Sequence, residues 1–448
     1  MNGSTVAIIG LGASGVAAAR LALAKGADVY VSDLHTEPAV ATRGADLRGA
    51  GARVDVGEHD LERMARADLV VVSPGIPPRA PVLRALEDRG VGWISEPEFA
   101  VRFFSGSLIG ITGTNGKTTT ALLVAHLLEA AGVRAAVGGN VGGGLAPPAS
   151  ELALLAEPPD WYVLEMSSFQ LADVETFRPD IGVVTNLAPD HLDRYEGVAA
   201  YYADKARMLE RASADSVWVL PAADTVVTKW MGDTPGSRFF FGEQEDTGTH
   251  AFSTQGFLTL RVDHSTHRLI SDSDLPLLGR HNRHNALAAA LTASLAGASC
   301  QGIATGLLSA RPLPHRLEPV IERDGVLWVN DSKATNVAAT RSALSSLSRP
   351  VVLLVGGKDK GEDFSCLVPA DATVKAVLTY GAAGQRISSE VSVAEFVPGD
   401  LRAVTTRASS IAASGDVILL SPACSSFDMF VNYEERGRHF SELAREAA

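Results

Sequence analysis

Short apolar runs recur along this chain, and nearly every one ends at glycine, proline or a polar corner before a helical stretch begins. VAIIG spans Val6 to Gly10, and ADVYVSD ends in Asp33. ADLVVVSPG stops at Pro74-Gly75, and SLIGIT starts at Ser107. WYVLEMSS (Trp161 to Ser168) and DIGVVTNL (Asp180 to Leu187) follow, then VLWVND, PVVLLVGG, AVLTYG and DVILLSPA. Runs this continuously apolar suit strands buried on both faces. The stretch from Ser14 to Lys25 reads as a helix ended by Gly26. Strand and helix in alternation build parallel sheets, so the fold class is α/β.

The chain has 448 residues, which suggests about three domains. Each could bury a core without disulfide or metal staples. One boundary falls near Phe104, where SLIGIT opens a new unit. Another falls at Pro312-Leu313-Pro314, where two prolines suit a linker. The expected domains are therefore 1–104, 105–311 and 312–448. The stretch from about Gly232 to Ser273 is polar and mixed, and reads as hairpin or loop. Hydrophobic residues at 46% and charged residues at 20% exclude disorder over most of the chain.

A net charge of −13 makes a poor general binder of nucleic acid or anionic membrane. Cys300, Cys366 and Cys424 are far apart and form no CxxC, which fits a reducing compartment such as the cytoplasm. The amino terminus begins on a strand-like run with no basic segment before it. No apolar stretch reaches the ~18 residues of a membrane span. Neither a signal peptide nor a transmembrane helix is expected.

The strongest chemical signal is GITGTNGKTTT, Gly110 to Thr120, set between a strand and the helical run KTTTALLVAHLLEAAG. Backbone N–H groups of such a loop wrap phosphate oxygens, and the helix N-terminus adds positive potential. Lys117 would reach the β- and γ-phosphates, and the Thr118 hydroxyl would bind Mg²⁺. The strict GxxxxGK[ST] pattern fails, because Ile111 stands where the first glycine belongs. A glycine-rich turn with a solvent lysine is the plain alternative. A second loop, Gly10-Leu-Gly12-Ala-Ser-Gly15 with Asp33 closing the next strand, has the dinucleotide fingerprint in its βαβ context. That pattern tests for a nucleotide diphosphate rather than for nicotinamide. An NAD-dependent oxidoreductase argued from it leaves GTNGKTT unexplained.

Glu165 ends a strand in LEMSSFQL, and Asp190-His191 follow one in NLAPDHLDRY. Strand C-termini face the crevice where open α/β sheets bind ligands. A carboxylate and an imidazole there could hold a divalent cation, or form a structural ion pair. The last third of the chain offers four more polar corners. LPHR carries His315 and Arg316, and NDSKATN carries Asn330, Asp331, Ser332, Lys333, Thr335 and Asn336. GGKDKGEDF carries Lys358 and Lys360, and SPACSSFDMF carries Ser425 and Ser426. Any one could be a solvated loop, but four together suggest one ligand-facing edge.

GTNGKTTT, EMSSFQL, NLAPDHLDRY, GRHNRHNA, LPHR, NDSKATN and SPACSSFDMF, in this order over nearly the whole chain, resemble the ATP-dependent Mur ligases. The resemblance implies an N-terminal Rossmann-like domain for a UDP-sugar, a central P-loop ATPase-type sheet and a C-terminal Rossmann-like domain. Within the family, NDSKATN, SPGI at Ser73 to Ile76 and SPAC-S are similar to the branch that adds D-glutamate to UDP-N-acetylmuramoyl-L-alanine. In that chemistry ATP phosphorylates the substrate carboxylate, and the glutamate amine displaces phosphate.

Site residues carried over by the resemblance are as follows. Lys117, His191 and Lys205 would be catalytic. ATP would meet Gly113, Thr114, Asn115, Gly116, Lys117, Thr118 and Thr119, then Asn282 and Asn285, then Arg316, Asp331 and Lys333. Two Mg²⁺ ions would be held by Thr118, Glu165, His191 and a carbamylated Lys205. Ser14, Asp33, Gly75 and Asn140 would line the UDP-sugar, and His191, Thr335, Lys360, Ser426 and Tyr433 the D-glutamate. The implied protein is a cytoplasmic monomer acting on small molecules. Four positions depart from the family pattern. Leu34 and His35 follow the uracil aspartate, where the family has Thr-Arg. Tyr433 replaces a phenylalanine. Lys358 is an additional lysine in GGKDKG. A ligase for another amino acid, or one acting on folate, is the close alternative.

Overall fold

The computed structural model describes residues 1–190, 194–262, 265–370 and 372–446. Three sheets organise them. The first contains β1 (Thr5–Ile9), β2 (Asp28–Asp33), β3 (Arg53–Val56), β4 (Leu69–Val72) and β5 (Ile94–Ser95). Its order is β3-β2-β1-β4-β5, and all pairings are parallel. The order reverses between β1 and β4, and a ligand crevice opens at such a switch point. The reason for the unbroken apolar runs is visible in β1. Val6 and Ile8 enter one core cluster, while Ala7 and Ile9 enter the cluster on the opposite face.

The second sheet contains β6 (Ser107–Thr112), β7 (Ala135–Gly139), β8 (Trp161–Glu165), β9 (Ile181–Val184), β10 (Val217–Pro221), β11 (Ser237–Phe241), β12 (Ala251–Thr254), β13 (Phe257–Val262) and β14 (Ser265–Ser271). Its order is β14-β13-β12-β11-β10-β9-β6-β8-β7. The strands from β7 to β12 are parallel, and β12, β13 and β14 form an antiparallel meander. The polar stretch after Gly232, expected to be hairpin or loop, is hairpin from β12 onward, but its first part holds the parallel strand β11. Gln255 and Gly256 both take positive φ, 51° and 78°, the two-residue turn that matches strand twist.

These two sheets share one compact unit, Met1–Asp272 with His284–Leu308. Their joint includes a pair of buried glutamates at the start of the helix Glu96–Val101, beside an apolar cluster that runs through both sheets. Glu98 accepts from Thr176 N–H (3.0 Å), the Thr176 hydroxyl (2.6 Å) and Phe177 N–H (2.8 Å). Glu96 accepts from Ser150 N–H at 2.5 Å, and burial pushes its carboxyl up to about 7.

The other unit is Ser273–Arg283 with Ser309–Ala448. It holds β15 (Glu318–Arg323), β16 (Val326–Asn330), β17 (Val351–Gly356), β18 (Val374–Tyr380), β19 (Ala394–Phe396) and β20 (Val417–Leu420), in the order β15-β16-β20-β17-β18-β19. Only the β15–β16 pair is antiparallel. Val351, Leu353 and Val355 pack on one face of β17, and Val352 and Leu354 on the other. No helix among the described residues is long and apolar enough to cross a membrane.

Candidate active site

The phosphate loop leaves β6 at Gly113 (φ 143°) and enters the helix Lys117–Ala130 through Gly116 (φ 82°). Both glycines are demanded by space as well as by φ. A Cβ on Gly113 would meet Thr185 Oγ1 at 2.0 Å, and one on Gly116 would meet Asn285 Oδ1 at 2.3 Å. The end of β9 holds the loop from behind. Asn186 O accepts from Thr114 N–H (3.0 Å), and Asn186 Oδ1 accepts from Asn115 N–H (3.0 Å). The Thr185 hydroxyl donates to Asn115 O at 2.6 Å. Gly116 offers no side-chain cap to the helix, so the first N–H groups are directed at whatever anion the loop encloses. Lys117 Nζ donates to Thr114 O at 2.9 Å.

Lys205 lies under this loop. The helix Val198–Ala206 buries it to 1% exposure. Its Nζ donates to Gly113 O at 2.8 Å and to Thr112 Oγ1 at 3.4 Å, and sits 4.8 Å from the Tyr201 ring centroid. Burial, then the neighbouring Lys117 charge, pull its ammonium from the usual 10.5 down to about 7, against the opposing pull of Asp190, Glu165 and Asp204. A lysine in that range is about half free amine at neutral pH and mostly free amine above it. Glu165, at the end of β8, is 2% exposed, and its Oε1 accepts from Asn140 Nδ2 at 3.4 Å. Immediately after it, Ser167 and Gln170 form a reciprocal capping box on the helix Ser168–Ala172.

Thr118 and Glu165 are hard oxygen donors of the kind Mg²⁺ takes. Among the described residues no group of three or more His, Cys, Asp or Glu could hold a metal alone.

In the first sheet, the loop after β1 is cramped where it turns and open where a ligand would approach. A Cβ on Gly15 would meet Gly10 O at 1.9 Å, whereas one on Gly12 would meet nothing within 4 Å. Asp33 Oδ2 accepts from Leu11 N–H at 2.7 Å and its Oδ1 from His35 N–H at 2.9 Å. The carboxylate therefore pins the glycine turn. Gly75 is exposed just beyond β4.

In the third sheet, β16, β20 and β17 are adjacent and parallel, so the corners after them share one edge. A backbone bridge between Lys358 and Ser425 ties two corners together, which gives Lys358 a structural place. Asp331 is 8% exposed, accepts from the Ser421 hydroxyl (2.8 Å) and Leu317 N–H (3.2 Å), and is pushed up to about 7 by burial. Lys333 Nζ lies 5.3 Å from the Tyr433 ring centroid, and Lys360 Nζ donates to Thr335 O at 3.3 Å. Ser426 is buried on the same edge.

Family models for the Mur ligase MurD-like N-terminal domain, the Mur ligase middle domain and the Mur ligase glutamate ligase domain match residues 4–95, 111–293 and 315–424. The UDP-N-acetylmuramoylalanine–D-glutamate ligase of Acidobacterium capsulatum is 40% identical, over 99% of this chain and 96% of that one. Its counterpart in Anaeromyxobacter dehalogenans is 41% identical, over 100% and 99%. The chain belongs to the Mur ligase family, among its D-glutamate ligases. Solved structures bear out the fold. A pseudomurein peptide ligase type C from Methanothermus fervidus superposes with a TM-score of 0.61 at 20% identity, over 99% of this chain and all of that one. A MurF ligase from Thermotoga maritima in complex with ADP gives 0.60 at 15%, over 100% and 96%.

The sequence-predicted residues of the ligase fall into local groups. Gly113 to Thr119, Glu165, Lys205 and Asn285 gather around the phosphate loop of the second sheet. Arg316, Asp331, Lys333 and Tyr433 gather on the third sheet, where the Arg316 charge acts on both Asp331 and Tyr433. Asn282, in the first turn of the helix Arg280–Leu295, donates to Leu278 O at 2.8 Å. His191 lies outside the described residues. Sequence reasoning missed Thr185 and Asn186, whose only signal was polarity at a strand end. It also missed Arg436, which is 1% exposed and donates to Ser332 Oγ, Ser332 O and Cys424 O.

Proposed function

We infer that this ligase joins the amine of D-glutamate to the carboxylate of UDP-N-acetylmuramoyl-L-alanine, at the cost of ATP, as a step of peptidoglycan precursor synthesis. The full-length likeness to ligases of that name carries the reading. A different family ligase or an oxidoreductase is not favoured, since the glycine loop of the first sheet serves a UDP diphosphate equally well.

A free carboxylate resists amines because its leaving group would be oxide. Its oxygen attacks the γ-phosphorus of ATP and ADP departs, leaving an acyl phosphate. The glutamate amine then adds to that carbonyl, inorganic phosphate leaves, and the amine gives up a proton. No protein nucleophile is needed, so the residues position groups and neutralise charge. Loop N–H groups from Gly113 to Thr119 and the Lys117 ammonium hold the phosphates. Thr118 and Glu165 would hold Mg²⁺, which when bound offsets phosphate charge. His191 completes the set by resemblance.

Lys205 acts as a carbamate in this reading. Its free amine adds to CO₂ and loses one proton, giving an anion where an ammonium would repel a cation. The depressed ammonium value and the burial beside Gly113 support this. Asn282, Asn285, Arg316, Asp331 and Lys333 serve ATP. Ser14, Asp33, Gly75 and Asn140 serve the UDP-sugar, and Thr335, Lys360, Ser426 and Tyr433, with His191, serve D-glutamate. The protein works as a cytoplasmic monomer, with domain joints near Phe104 and Arg311.

Purified protein should release phosphate only when ATP, UDP-N-acetylmuramoyl-L-alanine and D-glutamate are all present. Equal turnover with L-glutamate, lysine or diaminopimelate would overturn the substrate assignment.

A further inference from the structure

The turn that carries Arg316 is strained on both sides. His315 has φ 62° and Leu317 has φ 40°, left-handed backbone that bulky residues avoid. Such strain survives only where the surroundings over-determine it, and it concentrates at functional positions. Here the surroundings do so. The Asn330 carboxamide, 0% exposed at the end of β16, donates through its nitrogen to His315 Nδ1 at 3.0 Å. The same nitrogen lies 3.0 Å from Gly437 O, 3.1 Å from Ser441 Oγ and 3.2 Å from Glu318 Oε2. Its Oδ1 accepts from Ser332 N–H at 3.2 Å, which fixes the amide orientation. His315 N–H donates to Glu318 Oε2 (2.8 Å), His315 O accepts from Lys333 N–H (3.1 Å), and Leu317 N–H donates to Asp331 Oδ1 (3.2 Å). Glycine at 437 makes room, since a Cβ there would meet His315 Nδ1 at 2.2 Å.

We propose that Asn330 is a positioning residue for Arg316: its N–H groups hold His315 as a neutral acceptor at Nδ1 and lock the left-handed turn that presents the guanidinium. The proposal rests on the reading that Arg316 serves ATP. It adds a residue whose side chain touches no substrate and a required histidine tautomer, Nε2–H. Burial keeps the imidazolium unfavourable. The charged groups around the ring are Glu318, with Oε2 at 3.9 Å from Nδ1, Glu434, Arg438 and Lys333, and the Tyr433 ring stands edge-on at 6.2 Å.

The test uses the full-length enzyme and Asn330→Asp. The new carboxylate would face the Nδ1 lone pair and Glu318, so the turn would close only around a protonated His315. KM for ATP should rise by on the order of tenfold at about pH 8 and fall back toward the parental value by about pH 6, while parental KM changes little. KM values for the UDP-substrate and for D-glutamate should stay within a factor of about two of parental in the same range. A variant whose KM for ATP is unchanged, or raised equally at all pH values, overturns the proposal. Imidazole ¹⁵N spectra of the parental enzyme need no variant: His315 must be the Nε2–H tautomer, and an Nδ1–H tautomer also overturns it. Arg316→Ala separates the two layers. If that variant keeps the parental KM for ATP, the reading of Arg316 fails; if it loses affinity while Asn330→Asp does not, the positioning role fails.

Discussion

At the scale of single residues, Lys205 is the side chain whose state most depends on its surroundings. Its ammonium sits near 7 because it is buried next to another cation. The folded protein therefore binds fewer protons there than the unfolded chain between about pH 7 and about pH 10.5, so this group adds stability as pH rises through that window and removes it as pH falls. In CO₂-free buffer, the stability difference between parent and Lys205→Met, read from denaturant midpoints, should grow in the parent's favour from about pH 7 to about pH 10. A flat or declining difference would show that the lysine keeps its ordinary value. The catalytic counterpart is Lys205→Ala, expected to lose on the order of a hundredfold or more in kcat. Short carboxylic acids such as formate or acetate should restore part of it by standing in for the carbamate. An Ala variant of near-normal rate, or one indifferent to these acids, would reject the carbamate. Nothing in YYADKARML distinguishes this lysine from a surface one. Only family resemblance selected it, because the Thr112 and Gly113 oxygens that bond its ammonium lie more than ninety residues away in sequence.

At the scale of elements, the capping box of Ser167 and Gln170 starts a helix directly beyond Glu165. Ser167→Ala should cost about 1 kcal/mol of stability, measurable as a lower denaturant midpoint with an unchanged slope. An unchanged midpoint would mean that the cap does not stabilise the helix. Strands buried on both faces, such as β1 and β17, were legible because every residue is apolar whichever way it points. The edges were not. β15 carries Glu318, Pro319, Glu322 and Arg323, and β19 is AEF, so neither looks like an interior strand. Pairing at an edge is decided by the neighbour rather than by the strand's own composition. Arg436 escaped for a related reason. In YEERGRHF it reads as one charge among several on an amphipathic helix, yet the Ser332 hydroxyl and the carbonyls of Ser332 and Cys424 bond its guanidinium in the interior.

For the whole molecule, each compact unit has its own core. Calorimetry of the ligand-free protein should resolve two transitions, and ATP with Mg²⁺ should raise the one that belongs to the phosphate-loop unit by about 2.7 kcal/mol at a hundredfold excess over Kd. A single transition without ligand would contradict separate units. The alternation of strands and polar corners was legible in all three sheets, though β3, β7, β10 and β11 were not read as strands, and the corners of the third sheet do share one edge. The grouping of the first two sheets into one unit was not legible. One apolar cluster runs through both sheets, and the joint also holds Glu96 and Glu98, two acids in EPEF that look solvent-facing until their partners Ser150, Thr176 and Phe177 are known. The uncapped helix behind Gly116 has a consequence for how this protein can change over generations. Its phosphate grip is made of peptide N–H groups, and no codon change deletes a peptide N–H except to proline. The glycines that shape the grip are closed to replacement by Thr185 and Asn285. A compound that imitates the phosphate contacts alone would leave the gene few single-step escapes, whereas one that leans on side chains such as Tyr433 or Lys358 would leave many.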